Sequence, residues 1–205
     1  NNPNSVDIYG LELEARKSLD FLNDEFLSYF SVGGNLALIE AEIDVAESFQ
    51  QLLSGGFYLE SGERIGGDYS ANAATGGYDS VDDSRPLFNQ PEWIANVDIT
   101  FEQPEWGTRA TLALFTQSDV LVSAASYLGG VGNTVAVPDR YMDSYYQLDF
   151  TLKQRLNDVW TLGFSAKNLT DTERSVSYGD DLVSASDNET YKLGREYKIS
   201  LSATF

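Results

Sequence analysis

The sequence predicts an all-β protein, an antiparallel up-and-down transmembrane β-barrel. It holds a partial barrel of about seven strands, with long outer loops and short periplasmic turns. Three observations carry this prediction. Segments of about ten residues alternate between apolar and polar side chains, the period of a strand with one greasy and one wet face. Long polar loops alternate with short turns along the chain. The chain also ends on an aromatic residue of an amphipathic strand, where a soluble domain more often ends in a polar tail.

Residues 9–17 put Tyr9, Leu11, Leu13 and Ala15 on one face, and Gly10, Glu12, Glu14 and Arg16 on the other. Charges at every second position are costly in a dry core but are tolerated on the wall of a water-filled lumen. A short polar turn is expected at 20–25. A strand over 26–43 follows, with Phe26, Phe30, Val32, Leu36 and Leu38 in one parity and a bend or bulge at Gly33-Gly34. Residues 47–85 are long and polar, with three Gly-Gly pairs. Such a loop is rare in compact soluble domains and ordinary on the outer side of a barrel.

Trp93, Ala95, Val97, Ile99 and Phe101 then alternate with Ile94, Asn96, Asp98, Thr100 and Glu102, and a tight turn at 103–107 leads to Ala110, Leu112 and Leu114. A second long loop covers 118–143. Tyr146, Leu148, Phe150 and Leu152 form the next face, Asn157-Asp158 the next turn, and Trp160, Leu162, Phe164 and Ala166 the face after it. A third loop covers 168–190. The last strand, 192–205, sets Tyr197, Ile199, Leu201, Ala203 and Phe205 against Gly194, Glu196, Lys198, Ser200, Ser202 and Thr204. Trp93, Trp106 and Trp160 fall near strand ends, where an interfacial aromatic girdle belongs.

Composition narrows the function classes. The 205 residues carry a net charge of -19, with no His and no Cys. So acidic a chain repels nucleic acid and anionic membrane surfaces, and no nucleic-acid partner is expected. Without His and Cys it lacks the usual general base, thiolate metal sites and the commonest haem ligand. No Gly-x-Ser-x-Gly elbow is present. Glu12/Glu14 line one strand face at regular spacing, which fits a lumen better than an acid/base pair. No enzyme, cofactor or metal site is expected. Asp79-x-x-Asp82-Asp83 lacks the Gly and terminal Glu of a calcium loop. No apolar run is long enough for a membrane helix, and a mean hydropathy of -0.28 does not exclude a barrel. Asn1-Asn2-Pro3-Asn4 has neither the basic start nor the apolar core of a signal peptide, so a mature form or a piece of a longer protein is expected.

Two sets of motifs carry a resemblance. Lys192-x-Gly194-x-x-Tyr197-x-Ile199 with the terminal Phe205 resembles the signal by which the barrel-assembly machinery recognises bacterial outer-membrane barrels. Tyr9-Gly10-x-Glu12-x-Glu14 resembles the Gly-x-Glu-x-Glu strand of TonB-dependent outer-membrane receptors. The family's strand entry is matched by Asn89-Gln90-Pro91-Glu92-Trp93, and its next hairpin by Tyr145-x-x-Leu148-Asp149 with Trp160-x-Leu162. Its Asn-Leu-Phe-Asp is matched by Asn168-Leu169-Thr170-Asp171, with Thr for Phe, and Gly194-Arg195 completes the order.

The resemblance implies that residues 1–205 are the carboxy-terminal segment of a receptor barrel of about 22 strands. It implies a plug of roughly 100–150 residues preceding the segment. It further implies an outer-membrane location, TonB as a partner through the missing plug, and energised uptake of a scarce solute. An iron–siderophore complex is the first expectation, then vitamin B12 or an oligosaccharide. Substrate contacts in such receptors come from outer loops and the upper lumen. The candidates are Tyr69, Tyr78, Asp79, Asp82, Asp83 and Arg85, then Asp139, Arg140, Tyr141 and Asp143, since Tyr and Arg stack on or hydrogen-bond sugars and chelates. Two alternatives are a small complete barrel with a structural or adhesive role, and a secreted carbohydrate-binding β-sandwich whose greasy faces pack on each other.

Overall fold

The computed structural model describes residues 6–44, 57–58, 64–65, 84–124, 126–128, 135–137, 139–178 and 189–204. Seven antiparallel strands build one continuous wall: β1 (Ile8–Ser18), β2 (Phe30–Asp44), β3 (Trp93–Gln103), β4 (Thr108–Gln117), β5 (Tyr145–Arg155), β6 (Trp160–Lys167) and β7 (Glu196–Ala203). Each pairs with its neighbour in chain order, and the short Ser84–Pro86 strand adds to the far end of β2. No α-helix occurs among the described residues. β1 and β7 do not pair with each other, so the wall is an open arc with two edges.

The registers join the alternating patterns of separate strands into two faces. Leu13 stands opposite Leu36, Leu36 opposite Ala95, Ile99 opposite Leu112, Leu112 opposite Phe150, Leu152 opposite Phe164 and Phe164 opposite Ile199. Antiparallel partners share a face, so these residues make one apolar side from β1 to β7. The opposite side carries Glu12, Glu14, Asp98, Glu102, Asp149 and Glu196 with Arg16, Arg109, Lys153, Arg155, Lys167 and Lys198. Six acids against six bases leave that side neutral, so the charge of -19 lies elsewhere. Residues 40–92, 118–144 and 168–195 together hold 20 acidic and 6 basic side chains.

The apolar side is exposed. Leu11, Leu13, Val97, Ile199 and Leu201 are each more than half accessible, Ile199 reaching 75%. No second layer covers it among the described residues. The packing of a sandwich, two sheets face to face, is therefore absent there. Aromatic rings bracket the aliphatic band. Tyr9, Trp93, Tyr146 and Tyr197 stand at the loop end. Phe30, Phe101 and Trp160 stand at the turn end, where Phe26 lies 5.3 Å from Phe30 and Trp106 6.4 Å from Phe101. Trp93 and Phe101 are eight residues apart, about 26 Å along a strand and about 20 Å once tilted, close to the height of an outer-membrane apolar band.

Several local expectations are corrected. The connection before β2 is no short turn at 20–25; it runs through two 3₁₀ helices, Leu19–Leu22 and Leu27–Tyr29, and β2 starts at Phe30. The Ser18 hydroxyl accepts from the Asp20 amide and Asp24 Oδ1 from the Phe26 and Leu27 amides, local bonds that compete with strand pairing. The pair Gly33-Gly34 is no bulge, because register runs unbroken through it on both sides. Gly33 is instead a gap through which Arg16 reaches Asp98 across an intervening strand, at 2.8 and 3.1 Å; a Cβ there would sit 2.7 Å from both side chains. Gly33→Val should break this bridge. The Arg16 and Asp98 side chains are 52% and 20% accessible, so the ion pair itself contributes at most about 1 kcal/mol. Urea unfolding of the refolded full-length barrel should show a fall of that order plus the steric cost, and Arg16→Gln added to the Gly33→Val variant should lower stability little further.

The turn at 103–107 is as expected. Gly107 adopts φ 66°, its amide donates to the Pro104 carbonyl at 3.1 Å, and a Cβ would meet Arg155 Cβ at 2.7 Å. Gly107→Ala should lower stability by about 1–2 kcal/mol, the cost of a left-handed L-residue, in the same unfolding assay. At the next turn Asn157 Oδ1 accepts from the Val159 and Trp160 amides, as an Asx turn does.

Candidate functional site

At the loop end the last four wall strands all break at one level, between Gln117 and Val120, Met142 and Tyr145, Lys167 and Arg174, and Tyr191 and Glu196. Beyond the breaks the chain pairs again. Val120–Ser123, Arg140–Met142, Arg174–Tyr178 and Glu189–Tyr191 form a second sheet in the order of the strands they continue. The loops expected at 118–143 and 168–190 are thus partly an extension of the wall, and the last strand begins at Glu196 rather than at Lys192.

A polar network stitches the tiers together. Asn168 adopts φ 54° and is 6% accessible. Its amide donates to Asp149 Oδ1 at 2.9 Å and its Nδ2 to the Gly194 carbonyl at 2.7 Å. The Leu169 amide donates to the Leu148 carbonyl at 2.8 Å, and Arg195 Nε to the Leu169 carbonyl at 2.9 Å. Gly194, at φ 78°, supplies the bend that presents its carbonyl. The structure therefore brings together Asn168, Leu169, Gly194, Arg195 and Asp149, which the sequence scatters over three segments. Gln147 extends the network by donating to Asp149 Oδ1 at 3.0 Å and accepting from Arg174 at 3.4 Å.

Arg174 is a residue that the sequence reading missed. It is 7% accessible, and its guanidinium lies 3.1 Å from the centre of the Tyr145 ring. Tyr145 and Gln147 belong to the polar side, so Arg174 sits at the top of that side. No spacing signal marks it, because it follows an irregular segment, 168–173, that hides the strand parity.

The candidate contact residues divide. Arg85 lies 4.0 Å from Asp139, and Arg140 3.3 Å from Glu189. Arg140, Met142, Arg174 and Val176 share one face of the outer tier by register, the face whose Arg174 reaches Tyr145. Tyr141 shares the opposite face with Leu121 and Ser177, and Asp143 accepts from the Ser177 hydroxyl. Tyr69, Tyr78, Asp79, Asp82, Asp83 and Phe205 lie outside the described residues. Gly10, Glu12 and Glu14 lie on the polar side of β1; Tyr197 and Ile199 lie on the apolar side of β7, opposite Ala166 and Phe164. Lys192 lies in the break before β7.

An open antiparallel wall, apolar on one side, polar on the other and lengthened at one end, agrees with the family comparison. A family model described as TonB dependent receptor-like, beta-barrel matches residues 1–169. The chain belongs to that family. No curated protein and no solved structure matched it. The matched span ends at Leu169, within the polar network that joins the tiers, and β7 beyond it pairs with β6 residue by residue from Glu196 to Ala203. Membership in the TonB-dependent receptor family makes this a transport-receptor barrel rather than a member of an enzyme class. It carries a bacterial outer-membrane location and TonB-dependent transport in general terms.

Proposed function

We propose that residues 1–205 form the carboxy-terminal wall of a receptor that takes up a scarce solute across the outer membrane. An iron–siderophore complex is the first reading for that solute, ahead of vitamin B12 and oligosaccharides. TonB would act through a plug carried elsewhere in the receptor, and the barrel-assembly machinery would read the terminal strand. The observation that carries the segment reading is the pair of edges that no strand among the described residues covers. Unpaired backbone groups in lipid cost several kcal/mol each, so both edges need partner strands. Seven antiparallel strands leave β1 and β7 running the same way, and antiparallel closure then requires an odd number of further strands.

Arg140 and Arg174 on the face that continues the polar side support an anionic chelate, in a chain otherwise strongly acidic. Uptake of radiolabelled iron–siderophore by cells with and without the intact receptor gene tests the substrate. The reading predicts loss of uptake on deletion and its restoration from a plasmid. Arg140→Gln should lower transport at limiting solute by about tenfold, the loss of one charge-assisted contact. Unchanged uptake of iron chelates after deletion, with starvation for cobalamin or a sugar instead, would move the solute to another class.

A further inference from the structure

A cleft of 650 Å³ opens just beyond Trp93 at the loop end of the wall. Its walls come from the side that continues the apolar face. Trp93 stands opposite Leu38 on that face, and Pro86 stands opposite Glu42, two residues along from Glu40, the partner of Tyr9. Tyr141 enters it from the outer tier, on the face it shares with Leu121 and Ser177.

The lining is built from aromatic rings, hydroxyls, an amide and carboxylates, and no Lys or Arg is among these residues. Its backbone is held in place: Ser118 Oγ accepts from the Glu92 amide at 2.8 Å and the Trp93 amide at 3.3 Å, and the Ser144 amide donates to Asp119 Oδ1. The side chains of Gln90 and Glu92 and the Trp93 indole N–H make no hydrogen bond among the described residues, so they are available to a ligand. Aromatic rings with amide and carboxylate groups suit a sugar, whose C–H face stacks on the ring while its hydroxyls take the polar groups. A phosphate would face Glu92 and Asp119 with no cation among the lining residues to offset them.

Trp93 marks the boundary between the aliphatic band and the polar end, the level of lipid head groups. We propose that this cleft holds the uncharged sugar head group of an outer-leaflet glycolipid. A lipid-borne sugar is favoured over a free one because the cleft opens on the lipid side of the wall, whereas a transported solute passes along the polar side. The proposal rests on the membrane placement of the family and is independent of which solute is carried.

The test is native mass spectrometry of the full-length receptor in an amine-oxide detergent. The probes are monoglucosyl diacylglycerol, phosphatidylglycerol with the same acyl chains, and free maltotriose. The glucosyl lipid should be retained about tenfold better than phosphatidylglycerol, and Trp93→Ala should abolish that preference. Glu92→Gln, whose side chain makes no bond within the wall, should weaken it and decides the matter if the first variant fails to fold. Equal retention of the two lipids, or a preference untouched by both substitutions, overturns the proposal. Maltotriose binding without a preference for the glucosyl lipid overturns it as well, by making the sugar a soluble one.

Discussion

Arginine at Leu112 should cost the refolded receptor about 2–4 kcal/mol, the penalty for a cation near the bilayer midplane on a barrel's lipid face. Leu112 lies mid-strand, between Ile99 and Phe150 on the apolar side. Its neighbour Thr111 points the other way, opposite Thr100 and Thr151, and its hydroxyl lies 2.9 Å from that of Thr100. Thr111→Arg should therefore cost about 1 kcal/mol, the value of one side-chain hydrogen bond. Adjacent residues, one substitution each, should differ several-fold in their effect on the urea midpoint in lipid vesicles. In a soluble, water-filled setting for both faces the difference would disappear.

The second large effect is expected at Asn168. Asn168→Leu removes the Nδ2 donor from the Gly194 carbonyl and puts a γ-branched side chain at φ 54°. An orphaned buried acceptor costs about 1–3 kcal/mol, and the left-handed backbone about 1–2 kcal/mol more. Asn is tolerated there because its short polar side chain bonds locally. The loss should appear as faster hydrogen exchange at the amides of Asn168, Leu169 and Arg174, with the turn-end amides of β5 and β6 unchanged. Asn168→Asp keeps the shape but turns a donor into a second acceptor facing the Gly194 carbonyl, and should be no milder. Uniform loss of protection across the wall would mean that the polar network around Asn168 holds the whole fold and not the junction between tiers.

The wall was legible because each strand repeats one rule: its apolar parity is carried to the next strand by register, as from Ile99 to Leu112 to Phe150. Short turns were legible where the turn residues are local, as at Gly107 and Asn157. The entry to β2 was misread because Phe26 keeps the parity of Phe30 while lying outside the strand; it packs on Phe30 and Phe101 from a 3₁₀ turn. Gly33 was misread because a strand glycine commonly marks a bulge, and its actual role depends on Arg16 and Asp98, neither adjacent in sequence. The motif residues Asn168, Leu169, Gly194 and Arg195 were named from resemblance, but what joins them is hydrogen bonding across tiers that no local pattern encodes. Arg140 and Tyr141 looked like one cluster in sequence, yet adjacent strand residues point to opposite faces, and the register separates them.

The direct test of the two-faced wall uses single cysteines in the full-length receptor, a clean probe for this segment because it contains no Cys. Each cysteine carries an environment-sensitive fluorophore, and the bilayer contains lipids brominated in the acyl chain. Labels at Ile99, Leu112, Phe150 and Ile199 should be strongly quenched, and labels at Asn96, Thr111, Thr151 and Ser200 should be insensitive to the lipid and open to a water-soluble quencher. Equal quenching of both sets, or protection of the first set from lipid, would contradict the account.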